Sequence, residues 1–331
     1  MMLEEIRGLV AADLTAVDQV IRARLSSSVP LVSTVAEHIV AGGGKRLRPL
    51  IVLLSAHAAA APKPLSDARH HEAAGFIEFI HTATLLHDDV VDHSSLRRGR
   101  ETANALFGNE ASVLVGDFVY SRAFQMMAAV GGQRVMEIMA DATNVIAEGE
   151  VLQLMNAQDP ETTEERYLEV IHRKTARLFE AGAEVAAVLA GAPAEVQRAL
   201  ATYGRHLGAA FQLIDDVLDY RSDPGSRGKN LGEDLAEGKM TLPLIHALKA
   251  AQGADRELIR TAITDAGDED RPEPDFARII GCIDAAGGIE YTRERALDES
   301  RAAVAALGAV PESRYRDALA ALAEVAVGRD R

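Results

Sequence analysis

Cysteine is almost missing: Cys282 is the only one in 331 residues, so no disulfide can form within the chain. Basic charge is also short, with 35 Lys and Arg against 50 Asp and Glu and a formal net charge of −15. That balance excludes a nucleic-acid binder that works by neutralising a phosphate backbone, and any anionic ligand must be met by local basic patches. Long apolar runs are lacking as well. The longest, Leu50 to Ala61, is interrupted by Ser55 and His57 and falls short of the roughly 18 residues of a spanning helix. The start, Met1-Met2-Leu3-Glu4-Glu5, has neither the basic nor the apolar region of a signal peptide. A cytoplasmic location is therefore expected, with transient contact at a membrane surface left open. Alternating, strand-like stretches are scarce.

What is present is 48% hydrophobic residues, rich in alanine and leucine and recurring at three- and four-residue intervals, enough for a large core. The expectation is an all-α fold in a single domain over residues 1–331. The acidic turn from Asp265 to Pro274 is the best candidate for a boundary, but the remainder to Arg331 is too short and too similar to stand as a second domain.

Two clusters stand out from this background: Asp88-Asp89-Val90-Val91-Asp92 and Asp215-Asp216-Val217-Leu218-Asp219, each set in an apolar run. On a helix, positions i and i+4 share a face, so Asp88 should point with Asp92 and Asp215 with Asp219. Like charges so placed repel, and burying them beside Leu85, Leu86, Val90 and Val91 adds desolvation. Such a helix needs cations. Hard divalent ions such as Mg²⁺ suit oxygen ligands and bind through one or two carboxylates plus substrate phosphates. The pair therefore reads as two halves of a metal-bridged phosphate site. A solvated helix face would explain one cluster, but Phe211, Leu213, Ile214, Val217 and Leu218 make the second too apolar for it.

The periodicity predicts one long helix from an N-cap at Ser66 to about His93, a basic loop over Leu96-Arg97-Arg98-Gly99-Arg100, and a helix from Asn109 to Met127. Another helix runs from about Glu195 to Tyr220 and is broken by Asp223-Pro224-Gly225. The glycine-rich segment to Lys239, carrying Lys229, is a candidate lid.

Basic residues are grouped too. Gly42-Gly43-Gly44-Lys45-Arg46-Leu47-Arg48 joins a glycine turn to three cations that could cradle a diphosphate or form a solvated helix start. It lacks Walker spacing. His81 sits two turns before Asp88, and Gln212 nearly one turn before Asp215, so each can share a ligand with its cluster or be an ordinary core group. For Lys174-Thr175 nothing local decides between site and surface.

Taken in order, Gly43-Gly44-Lys45-Arg46-Leu47-Arg48-Pro49, His87-Asp88-Asp89-Val90-Val91-Asp92 with Arg97-Arg98-Gly99, Lys174-Thr175-Ala176, Phe211-Gln212-Leu213-Ile214-Asp215-Asp216-Val217-Leu218-Asp219, Gly228-Lys229-Asn230 and Gly238-Lys239 closely resemble the motifs of the trans-type polyprenyl diphosphate synthases. The resemblance covers nearly the whole chain. It implies an isoprenoid synthase-type bundle of about a dozen helices around a central cavity, usually a homodimer, with both aspartate motifs at the cavity mouth.

By the same resemblance, Asp88 and Asp92 would hold two Mg²⁺ and Asp215 a third on the diphosphate of an allylic substrate, with Asp89, Asp216 and Asp219 in support. Arg97, Lys174, Lys229 and Lys239 would contact that diphosphate; Lys45, Arg48, His81 and Arg98 would bind that of isopentenyl diphosphate. Thr175 and Gln212 would lie beside the reacting carbons. The allylic partner expected is farnesyl diphosphate.

In this family, bulky residues four and five places before the first aspartate cap the pocket of short-chain enzymes. Here those positions hold Thr84 and Ala83. Both are small, so the product is expected to pass them toward a floor among Phe124, Met127 and Met139. The implied product is a chain of about eight isoprene units, which helix rise alone does not separate from nine or ten. A class I terpene cyclase shares the first motif only, and a non-catalytic subunit of a heteromeric synthase typically loses one of the two.

Overall fold

The computed structural model describes residues 1–41, 46–97, 99–221, 232–268, 270–271 and 274–329. Helix dominates throughout. The order is α1 (Leu3–Gly8), α2 (Ala11–Leu25), α3 (Pro30–Ala41), α4 (Leu47–Ala60), α5 (Arg69–Val91), a short hairpin, α6 (Ala103–Phe107), α7 (Asn109–Val130) and α8 (Gln133–Asn156). Then come α9 (Glu164–Val170), a π-helical turn (Ile171–Ala176), α10 (Arg177–Leu189) and α11 (Ala194–Asp219). The chain closes with α12 (Glu233–Ala236), α13 (Leu242–Ala250), α14 (Gly253–Thr264), α15 (Phe276–Ala285), α16 (Gly288–Ala306) and α17 (Arg314–Val327).

Helix α5 is the axis of the molecule. Phe76, Ile77, Phe79, Ile80 and Ala83 are buried all round it, because α2, α4, α7 and α10 pack on its sides. Each large apolar side chain so buried contributes about 1.5–3 kcal/mol. Its start differs from the sequence expectation: Ser66 is not the cap, and the helix begins at Arg69, whose N–H donates to Asp67 Oδ1 at 3.0 Å. The far end stops at Asp92, and His93 turns the chain away with φ of 52°. The expected basic loop is a hairpin, with Leu96 opposite Glu101 and Arg97 opposite Arg100.

Helix α11 comes unusually near its neighbours. A Cβ added at Gly204 would lie 2.5 Å from the Phe179 carbonyl oxygen, and one at Gly208 2.7 Å from Ala176 Cα. Bare backbone therefore lets α11 lie directly on α10 and the π turn. Gly204, Gly208, Gln212 and Asp216 succeed one another at i+4 spacing, so the close contact continues into the polar end of the helix.

The acidic turn after α14 is not a boundary between cores. Ile259 and Ile263 before it share one buried cluster with Ile279 and Ile283 after it. No helix among the described residues is long and apolar enough to cross a membrane.

Gly204→Ala is expected to lower stability by about 1–3 kcal/mol, since the added methyl meets rigid backbone and forces the helices apart. Urea unfolding followed by far-UV circular dichroism measures it; a change below about 0.5 kcal/mol would contradict the close packing of α11 on α10.

Candidate active site

The C-terminal ends of α5 and α11 meet at one cleft. Asp88, Asp92, Arg97, Lys174, Thr175, Gln212, Asp216 and Lys239 all line a space of about 190 Å³ between them. Asp88, Asp92, Lys174 and Lys239 also line a second, much larger cavity of about 1760 Å³. One turn after Asp88, Asp92 shares its face as the helical period requires, while Asp89 turns inward and is buried.

Each carboxylate of the first cluster has a cation against it. Lys174 Nζ lies 3.4 Å from Asp88, 2.5 Å from Glu150 and 2.6 Å from Gln153 Oε1. Lys239 Nζ lies 2.7 Å from Asp92 and 2.5 Å from Glu237. Arg97 clasps Asp89 with Nε at 2.7 Å and Nη2 at 2.6 Å. Burial nevertheless pushes the pKa of Asp89 up, against the pull of Arg97. Burial likewise raises Glu150 to about 7, and raises Glu237. Burial works against the charge of Lys239, yet Glu237, Asp234 and Asp92 hold its pKa above the ordinary lysine value.

The second cluster is built differently. Asp216 is buried, accepts from the Tyr167 hydroxyl at 2.5 Å and from Gln212 Nε2 at 2.8 Å, and has its pKa driven well up by desolvation. Gln212 Oε1 in turn accepts from Thr175 Oγ1 at 3.0 Å. A hydrogen-bonded chain thus runs from Thr175 through Gln212 and Asp216 to Tyr167, tying the π turn to α11. Asp215 is paired with Arg329, whose Nη1 sits 3.1 Å from it and whose guanidinium stacks 4.0 Å from the Phe211 ring. Asp219 accepts from the Asp234 N–H at 3.3 Å.

Lys174 and Thr175 lie in the π-helical turn, a local departure from α geometry that recurs at functional sites. Gly149 makes room for it, since a Cβ there would fall 2.7 Å from the Lys174 backbone nitrogen.

Other residues singled out in the sequence fall in several places. Lys45, Arg98 and Lys229, with most of the proposed lid, lie outside the described residues. Arg48 stacks its guanidinium 4.6 Å from the Phe179 ring, and Phe179 tilts against Phe211 at 5.8 Å. Neighbouring Arg46 pairs with Glu78 at 2.6 Å. His81 is half-buried, and its carbonyl accepts from Thr84 Oγ1 at 2.9 Å. Thr84 lines the large cavity. Ala83 is fully buried in the core, as are Met127 and Met139, and Phe124 packs behind Tyr120 at 5.3 Å. Ile80, Tyr120, Thr143 and Ile146 line the same cavity as Thr84.

Sequence reasoning missed Gly149, Glu150, Gln153, Tyr167 and Glu237; it named the closing segment Gly328-Arg329-Asp330-Arg331 as one that could reach the site, without assigning Arg329 its partner Asp215. Glu150 and Gln153 carried a signal, polar groups one turn apart in a helix with apolar neighbours. Tyr167 carried none, because its role depends on a contact far along the chain.

The donor set suits a hard divalent cation. Among the described residues, the small space is lined by the carboxyl groups of Asp88, Asp92, Asp216, Asp234 and Glu237 and by the cations Arg97, Lys174 and Lys239. Such a set of oxygen donors, with Asp88 and Asp92 at its centre, fits Mg²⁺ with a phosphate-bearing ligand.

Removing the hydroxyl with Tyr167→Phe leaves Asp216 one partner short in a buried position. The expected loss is about 1–3 kcal/mol of stability, read by urea unfolding, and an unaltered midpoint would contradict the hydrogen-bonded chain. Gly149→Ala should displace the π turn and cut turnover while the protein stays folded by circular dichroism.

A sequence profile described as Polyprenyl synthetase matches residues 29–277. The octaprenyl diphosphate synthase of Escherichia coli (strain K12) is 52% identical over 331 residues, covering 100% of both chains. The all-trans-nonaprenyl-diphosphate synthase (geranyl-diphosphate specific) of Rhodobacter capsulatus is 46% identical, covering 98% of each. The crystal structure of a polyprenyl synthase from Caulobacter crescentus CB15, complexed with calcium and isoprenyl diphosphate, superimposes with a TM-score of 0.93 at 42% identity, covering 100% of this chain and 98% of that one. This chain belongs to the polyprenyl synthetase family, and it is a prenyltransferase that builds trans-polyprenyl diphosphates by head-to-tail condensation.

Proposed function

We propose that the chain extends farnesyl diphosphate with successive isopentenyl diphosphate units to octaprenyl diphosphate, a product of about 40 carbons, for a quinone side chain. The observation that carries this reading is the junction of a carboxylate-lined cleft with a cavity of about 1760 Å³ whose walls include Thr84, Ile80, Tyr120 and Ile146. A small residue at Thr84 leaves room for a long product. Relatives named for eight-unit and nine-unit products are 52% and 46% identical to this chain and a decaprenyl diphosphate synthase of known structure is 43% identical, so short-chain, nonaprenyl and decaprenyl products are the alternative outcomes.

Asp88 and Asp92, with Asp215 of the second cluster, would hold about three Mg²⁺. Bound there, the ions would offset the negative charge that grows on the departing diphosphate as the allylic C–O bond breaks. Lys174 and Lys239, already against Asp88 and Asp92, would bind the same diphosphate oxygens. Arg97, held by Asp89, would supply a fixed positive charge. Lys45, Arg48, His81 and Arg98 would seat isopentenyl diphosphate, and Lys229 would join the allylic side. Thr175 and Gln212, linked by hydrogen bonds to Asp216 and through it to Tyr167, would lie beside the reacting carbons. The double bond of isopentenyl diphosphate attacks the allylic carbon, and the proton lost passes to the released diphosphate. The apolar walls exclude the water that would quench the cation. The working form is proposed to be a cytoplasmic homodimer of single-domain chains.

Incubating the protein with Mg²⁺, farnesyl diphosphate and labelled isopentenyl diphosphate should give products centred on eight units and none after chelation with EDTA. Absence of incorporation by the chain alone would point to a heteromeric synthase. Thr84→Phe should shorten the product to about three or four units, because the ring enters the cavity roughly one helical turn from Asp88. Ala83→Phe would instead overpack the core, and unchanged length in Thr84→Phe would contradict the tunnel.

A further inference from the structure

At the opposite end of α5, about 27 Å of helix from the aspartates, three histidines converge on one carboxylate. His57 Nε2 lies 3.0 Å from Asp13 Oδ2, and His70 and His71 Nε2 lie 3.4 Å and 2.8 Å from Asp13 Oδ1. The ligand atoms of Asp13, His70 and His71 all fall within 4.8 Å of one another. The prenyl-transfer chemistry uses none of these groups.

We propose that Asp13, His57, His70 and His71 form a structural site for a divalent transition metal of the zinc type. Three imidazoles and one carboxylate are a ligand set that zinc accepts in tetrahedral geometry, with metal–ligand distances near 2.0–2.1 Å that place neighbouring ligand atoms roughly 3.3 Å apart. The His70 and His71 separations from Asp13 Oδ1, 3.4 and 2.8 Å, bracket that edge, while His57 meets the other carboxylate oxygen at 3.0 Å and lies outside the trio whose ligand atoms fall within 4.8 Å of one another. Binding an ion needs transfer of the Nε2 protons and a turn of the His57 ring to close the fourth position.

The ligands are also held in place. Asp13 comes from α2, His57 from α4 and the other two from the first turn of α5, helices that pack on one another in the core. His57 is stacked on Tyr315 of α17 at 4.5 Å with 16° between the rings, and the His70 side chain is only 7% exposed. The 18–21% exposure of Asp13, His57 and His71 leaves a path for an ion to enter. Metal there would pin the N-terminal helix α2 to the bundle. The nitrogen-rich set separates it from the aspartate cleft, whose oxygen donors favour Mg²⁺.

Cobalt chloride titrated into the full chain in excess Mg²⁺ is the test. One equivalent should give the visible absorption of tetrahedral Co²⁺, displaced by Zn²⁺ and lost in His71→Gln and His57→Gln. Zn²⁺ at about 100 times its Kd should raise the melting temperature of the wild type by about 4 °C and leave both variants unmoved. Mg²⁺-dependent prenyl transfer by the variants, unchanged from wild type, shows that they are folded. Only the weak octahedral spectrum, or the same titration and melting shift in wild type and both variants, would overturn the site.

Discussion

Carboxylates held against one another are the constraint on which the rest of the molecule depends. Two acidic groups at i,i+4 spacing, roughly 5–6 Å apart, repel by about 3 kcal/mol at an effective dielectric near 20. The fold brings a second helix of the same kind to face the first, and burial drives Asp89, Glu150, Asp216 and Glu237 further from their ordinary acidity. Lys174, Lys239 and Arg97 answer part of that charge from other elements. The remainder is negative charge that divalent cations would offset.

Close helix packing makes this arrangement possible. Gly204 and Gly208 remove the side chains that would keep α11 away from α10 and the π turn, and Gly149 does the same for α8. Gln212 and Asp216 then extend the contact line into Thr175 and Tyr167 as hydrogen bonds. Bare backbone deep in the bundle thereby controls where polar groups lie at its mouth.

Much of this was legible in the sequence, for local reasons. Helix periodicity placed Asp88 with Asp92 on one face, and the apolar setting of both clusters demanded compensation. Partners fixed by distant contacts were not legible: Tyr167 beneath Asp216, Glu150 beside Lys174, and Arg329 on Asp215, which meets its partner from far along the chain. The large cavity was harder to read for a related reason. Counting back from Asp88 leads to Thr84, which lines it, and to Ala83, which is rotated about 100° away into the core. Phe124, Met127 and Met139 read as apolar candidates, and the burial of Met127 and Met139 depends on contacts the sequence does not show.

The claim that excess carboxylate charge makes metal and diphosphate bind together can be measured directly. Isothermal titration of inorganic diphosphate into the protein, with and without Mg²⁺, gives the coupling between them. An affinity about tenfold or more higher with Mg²⁺ is the predicted result. Equal affinity in the two titrations would contradict it, because the lysines and arginine would then suffice to hold the ligand against the aspartates.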